Sequence, residues 1–230
     1  MILEERKYKI NEIFYSLQGE GASVGAASVF VRFSGCNRAC PFCDTVFKPF
    51  KERSAEEICQ KIKGLTNFIS TGWKIVLTGG EPTLQIDEEL ITALKQNFDA
   101  EIHVETNGST FDTFNPKRFP ALFFTVSPKT EKDARSFVQT CLENDFRTGI
   151  EIKIVSVPLV GNAEDDFHDA IEDTLEIFDE LPDSIPRFIQ PCDFGNEEQN
   201  EIERTKCIIL VKCHPKWRLS LQVHKILNIR

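Results

Sequence analysis

Eight short runs rich in β-branched and aromatic residues punctuate this chain, and most are followed by a stretch with helical spacing. The runs expected as strands are 11–17, 29–33, 74–77, 101–105, 122–126, 151–155, 187–189 and 218–221. A capping box at Ser54 and Glu57 opens a helix to about Lys63, with Ile58 and Ile62 spaced for one face. Further helices are expected at 87–97, 132–143, 163–178 and 197–213, the last stopped before Pro215. Strands separated by helices restrict the fold to the α/β class with a mostly parallel sheet. The expected architecture is a partial, open TIM-like barrel with helices outside, whose ligands gather where the strands end. With no repeat, low-complexity tract or linker, residues 1–230 read as one domain.

Composition removes several classes of function. With 41% hydrophobic and 27% charged residues, the chain reads as an ordinary soluble globular protein. A formal net charge of -9 argues against a general nucleic-acid surface. No run approaches the roughly 18 apolar residues of a membrane span. The start, MILEERKYKI, lacks a signal-peptide apolar stretch, and eight cysteines are too sparse for a disulfide scaffold. A cytoplasmic location with reduced thiols is the expectation.

The chemistry-bearing residues fall where the fold rule puts them. Leu77 is followed by Thr78, Gly79, Gly80, Glu81 and Pro82; Val104 by Glu105, Thr106, Asn107 and Gly108. Val126 leads to Ser127, Pro128 and Lys129, and Ile189 to Gln190, Pro191, Cys192 and Asp193. The fifth such loop follows Phe33 and carries Cys36, Cys40 and Cys43 as C-x3-C-x2-C. Connecting turns alone supply such residues, but five after five strands, one with a cysteine trio, read as the rim of one pocket. A structural zinc knot wants four closed ligands, and no nearby histidine or cysteine completes this set. Cys59, beside Ile58 on an amphipathic helix, reads as a small buried hydrophobe. Three thiolates suit three irons of a [4Fe–4S] cluster, leaving the fourth iron for an exogenous ligand.

The trio followed by TGGEP resembles the radical S-adenosylmethionine (SAM) superfamily. That resemblance implies SAM chelated through its amino and carboxylate groups at the open iron, then cleaved to a 5′-deoxyadenosyl radical. Gly79 and Gly80 would let backbone carbonyls approach the SAM ammonium closely. Glu105 and Asn107 would bind its amino acid or ribose part. Ser127, Pro128, Lys129 and the loop of Gln190, Pro191, Cys192 and Asp193 would contact ribose and adenine.

Further blocks narrow the resemblance. SLQGEG before the cysteines, VFVRFSGCN leading into them, CDT after them, then ETNG, VSPK, QP-x-D and LQVHKILNI resemble the 7-carboxy-7-deazaguanine synthases, nearly end to end. The family converts 6-carboxy-5,6,7,8-tetrahydropterin to 7-carboxy-7-deazaguanine, contracting a ring and releasing ammonia. The resemblance implies Mg2+ at Thr45; its neighbour Asp44 could serve as an outer-sphere partner of the ion rather than a direct ligand. It implies substrate contacts from Leu17, Gln18, Gly19, Thr78, Gln222, His224 and Arg230. Chemically, Arg32 offers a planar fork for the pterin carboxylate, and Gln18 and Glu20 suit a guanine-like edge. A homodimer and an external flavodoxin- or ferredoxin-like reductant are also implied. His103, His168 and His214 show no comparable setting and are expected to be structural or superficial.

Cys192, at the variable position of QP-x-D, adds a thiol to the pocket. It reads as a neutral pocket residue, because a fourth thiolate ligand would block SAM. The short stretch 45–53 gives no clue to how it covers the cluster. Two other functions compete: a radical SAM activase of a glycyl-radical partner enzyme, and a non-catalytic metal-binding interaction module.

Overall fold

The structure is a computed structural model that describes residues 5–46, 48–144, 149–157 and 171–230. Its strands are β1 (Tyr8–Leu17), β2 (Ala27–Phe33), β3 (Lys51–Arg53), β4 (Lys74–Gly79) and β5 (Glu101–Thr106), followed by β6 (Leu122–Val126), β7 (Ile150–Ser156), β8 (Arg187–Pro191) and β9 (Arg218–Leu219). Between them run α1 (Ala55–Thr66), α2 (Glu88–Asn97), α3 (Phe111–Phe114), α4 (Glu131–Asn144), α5 (Ile171–Ile177), α6 (Glu197–Cys213) and α7 (Val223–Ile226). Among the described residues the strands make one nine-stranded sheet, ordered β3-β1-β2-β4-β5-β6-β7-β8-β9. β1 pairs antiparallel with β2 and β3, and every later pairing is parallel. This is the expected open barrel of mostly parallel strands.

Local chemistry accounts for where the helices begin. Ser54 accepts from the Glu57 amide while Glu57 accepts from the Ser54 amide, at 3.2 and 2.7 Å, so the expected capping box forms. Asp87 and Asn196 cap α2 and α6 through the amides of Leu90 and Gln199. Ile58, Ile62, Leu90, Leu94, Phe137 and Val138 then turn inward onto Val29, Val31, Ile75, Leu77, Ile102 and Val104, forming the main core. Strand residues of the opposite parity, Phe30, Arg32, Val76 and Thr78 among them, are left for the other face of the sheet.

Three elements were not foreseen. β3 closes the 45–53 stretch by pairing Lys51, Glu52 and Arg53 with Ile10, Lys9 and Tyr8, and Lys48 and Lys51 are exposed to solvent. The single turns α3 and α7 are too short to show periodicity. Of the helix expected over 163–178, Ile171–Ile177 is helical and a 3-10 turn follows; residues 163–170, with His168, lie outside the described residues. His103 is buried against the Phe123 ring, centroids 4.7 Å apart. Among the described residues no helix is long and apolar enough to cross a membrane.

Candidate active site

The rim loops surround one cavity of about 650 Å3. The cysteine loop is its first wall, with Cys36, Cys40 and Cys43 all lining it. The Gly80 and Glu81 amides donate to the carbonyls of Phe33 and Gly35, at 3.0 and 2.8 Å, stitching that loop to the end of β4. A Cβ at Gly80 would collide with the Gly35 backbone, and one at Gly79, whose φ is +113°, with the Phe33 backbone. The glycine pair is thus first a seat for the cysteine loop, a reason beyond the expected approach of a ligand. Glu81 lies fully buried beneath and accepts from Thr83 N and Oγ1, Thr106 Oγ1 and Asn107 N, at 2.6 to 3.1 Å. Burial pushes its carboxyl above the ordinary range despite those donors. Asn107 donates to Asn37 Oδ1 at 2.9 Å and stands 4.0 Å from Cys36 Sγ, bracing the same loop from β5.

The cavity floor is a polar row across the sheet. Register places Glu12 opposite Arg32, Arg32 beside Thr78, Glu105 beside Thr125 and Thr125 beside Glu151. Glu105 accepts from Gln18 Nε2 at 2.9 Å and from Thr78 Oγ1 at 2.6 Å. A residue expected at SAM is therefore bonded to two expected at substrate. Glu20 pairs with Lys153 and also accepts from Gln222 Nε2 at 3.0 Å. Burial opposes its charge, yet the Lys153 ammonium outweighs that and holds the carboxyl below its ordinary value. Glu151, under the floor, accepts from Thr125 Oγ1 and the Ala22 amide at 2.8 and 2.9 Å, fixing the chain after SLQGEG. Gly19 is free of a side chain where the His224 ring packs on it, and its carbonyl accepts from Val223 N at 3.0 Å.

Two further groups form the rim. Glu12 Oε1 accepts from Arg32 Nε at 2.9 Å, and its other oxygen pairs with Arg230. Both guanidiniums lie over Phe14, at 5.9 and 4.8 Å, and Phe14 stacks on Phe30 with centroids 5.0 Å apart. Opposite, Lys225 Nζ bridges Asp44 and Asp193 at 2.7 and 2.8 Å. Asp193 is held down to about 2, chiefly by the Lys225 ammonium. Six lysines and arginines line the cavity. Five have carboxylate partners; Lys129 has, among the described residues, only Ser127 Oγ at 2.8 Å. Burial lowers its pKa, and the nearby Lys153 charge adds to that.

Every site residue expected from the sequence lines this cavity except Pro128, which is buried and does not line it. Leu17, Thr45, Gln190, Pro191 and Cys192 belong to the lining, and burial pushes the Cys192 thiol up to about 11, keeping it neutral. Glu12, Phe14, Phe30, Arg38, Lys153 and Lys225 were missed. Lys153 and Glu151 left a signal, since two charges of one parity inside an otherwise apolar strand must face a polar interior. The donor set fits the implied cluster. Burial raises the Cys36 and Cys40 thiols, so their ionised forms need a cation, which irons supply. Among the described residues no three His, Cys, Asp or Glu groups are placed to hold a single metal ion. A multi-iron cluster makes a different demand, one thiolate on each of three irons.

Known proteins resemble this chain in sequence and fold. The profile of the radical SAM superfamily matches residues 30–174. The 7-carboxy-7-deazaguanine synthase of Bacteroides thetaiotaomicron is 35% identical over 222 residues, covering 96% of this chain and 98% of that one. That of Burkholderia multivorans is 35% identical over 241 residues, covering 96% and 99%. The crystal structure of QueE from Escherichia coli superposes with a TM-score of 0.64 at 26% identity, covering 95% of both chains. Streptococcus suis SuiB, at 12% identity and a TM-score of 0.52 over 82% of this chain and 47% of that one, shares the fold alone. These matches decide against both the glycyl-radical activase and the non-catalytic module: the chain belongs to the radical SAM superfamily and, within it, to the 7-carboxy-7-deazaguanine synthases, radical lyases of 7-deazapurine biosynthesis.

Proposed function

We propose that this cavity converts 6-carboxy-5,6,7,8-tetrahydropterin to 7-carboxy-7-deazaguanine with loss of ammonia, all 230 residues serving as one catalytic unit. The observation that carries the reading is convergence: three thiols, an anion-binding fork and a polar floor line one cavity. When bound, the [4Fe–4S] cluster and SAM supply the hydrogen-abstracting radical. Cys36, Cys40 and Cys43 hold the cluster. Gly79, Gly80, Asn107, Ser127, Gln190, Pro191, Cys192 and Asp193, all lining the cavity, would hold SAM. Lys129, the cavity cation with no carboxylate partner among the described residues, suits the SAM carboxylate.

Arg32 presents its terminal nitrogens to the substrate carboxylate while Glu12 holds Nε from behind. Thr45, which lines the cavity, would offer Mg2+ a hydroxyl suited to a hard cation. Leu17, Gln18, Gly19, Glu20 and Thr78 meet the pyrimidine edge, and Gln222, His224 and Arg230 close over it. Glu105, bonded to Gln18 and Thr78, joins the two ligand sets. A cytoplasmic homodimer reduced by a flavodoxin- or ferredoxin-like protein completes the proposal. Anaerobic incubation with the carboxytetrahydropterin, SAM, Mg2+ and reductant should yield the deazaguanine chromophore. Cleavage of SAM without that chromophore would overturn the substrate assignment.

A further inference from the structure

The last turn of the chain holds three cavity walls through one ammonium. Lys225, on α7, bonds Asp44 of the cysteine loop at 2.7 Å and Asp193 of the β8 loop at 2.8 Å. Gln222 starts the same turn and donates to Asp44 at 3.2 Å and to Glu20 at 3.0 Å. Asp193 is itself fixed, accepting from the Gly195 amide and Asn200 Nδ2 at 2.9 and 2.8 Å. Asp44 directly follows Cys43 in the chain. The walls so joined carry the cysteines, the expected SAM loop and the substrate residues Gln222 and His224.

We propose that Lys225 is a positioning residue that couples the substrate-closing C-terminal turn to the cluster loop. Its ammonium meets two carboxylates from different loops, so neither loop nor α7 can shift without breaking an ion pair. Burial works against the ammonium, and the two carboxylates more than compensate, raising its pKa. A longer-range consequence is reciprocity: whatever orders α7 over the cavity must tighten the cysteine loop, and the reverse. The inference rests on the proposed assignment of Gln222 and His224 to the substrate, although the clamp itself does not depend on what the substrate is.

The test uses anaerobically reconstituted holoenzyme. Lys225→Met should raise KM for the carboxytetrahydropterin about tenfold, the effect of losing two part-exposed ion pairs together, while kcat changes less than about threefold. Lys225→Arg should restore most of the loss. Hydrogen exchange over residues 214–230 and release of iron to a chelator should both quicken in Lys225→Met, by about the same factor. A triple variant that also carries Asp44→Asn and Asp193→Asn separates clamp from charge cancellation. The clamp predicts that its exchange over residues 214–230 and its iron release stay as fast as in Lys225→Met; return of both to wild-type rates in the triple variant would overturn it. Unchanged exchange and iron release in Lys225→Met would overturn it as well. Those two readouts need no turnover, so an enzyme that fails on the pterin refutes the proposed function and still tests the clamp.

Discussion

At the scale of single residues, the glycines of this chain divide by what surrounds them. Gly80 sits against the Gly35 carbonyl, and a methyl group there would force the cysteine loop off the end of β4. Gly80→Ala should cost about 1–3 kcal/mol and lower the iron bound on reconstitution to under half, measured by thermal unfolding and iron assay. Gly64 is the control. It lies within α1, is exposed, and has nothing within 4 Å of an added Cβ. Gly64→Ala should therefore stabilise the fold by about 0.5–1 kcal/mol, because the helix no longer bears glycine's backbone freedom. Opposite signs for two identical substitutions check the geometric reading. Glu81 illustrates what sequence hides at this scale: TGGEP advertises its glycines, but four buried donors converging on one carboxylate appear only once β4 and β5 are adjacent.

At the scale of elements, the pairing of Lys153 with Glu20 ties β7 to the turn after β1. Both side chains are largely buried, so Lys153→Met leaves a carboxylate without its partner. The expected loss is about 3 kcal/mol, a fall in Tm of roughly 6–12 °C, and adding Glu20→Gln should recover most of it. Thermal unfolding of the two single variants and the double measures the coupling. The same element marks how far the sequence was legible. β6 and α6 match their expected bounds, since apolar runs and caps are local signals. β3 was not, because Lys51, Glu52 and Arg53 are an edge strand whose only cue is its partner in β1. The cysteine trio and Gly-rich loops announced the site. Glu12 and Lys225 did not, since each resembles a solvated charge until register and closure bring its partner, whereas Lys153 left its signal in the parity of an otherwise apolar strand. Pro128 differs the other way: motif membership places it at the ligand, whereas in the fold it is buried and does not line the cavity.

At the scale of the whole molecule, acid should act on the link between the C-terminal turn and the β8 loop. Asp193 is held at about 2 in the fold, mainly by Lys225, and is raised to its ordinary 3.8 in the unfolded chain. A depressed carboxyl contributes fully above the unfolded value and loses that contribution as pH falls through the folded one. The stability gap between wild type and Lys225→Met should hold constant above about pH 5 and close towards pH 2, as acid-unfolding curves would record. The reason this link matters lies in the sheet order. β3 and β9 are its edges, and among the described residues no ladder joins β9 back to β1. The seam is bridged instead by Val223 N to the Gly19 carbonyl, Gly21 N to Ser220 Oγ, and the Gln222 side chain to Glu20. A fully laddered barrel must break several strand hydrogen bonds to widen, whereas widening at this seam would cost the few contacts that cross it, as a bracelet parts at its clasp. Exchange of a small-molecule substrate there would require those seam contacts to yield, while the eight strand pairings that hold the cysteine loop's seat stay intact.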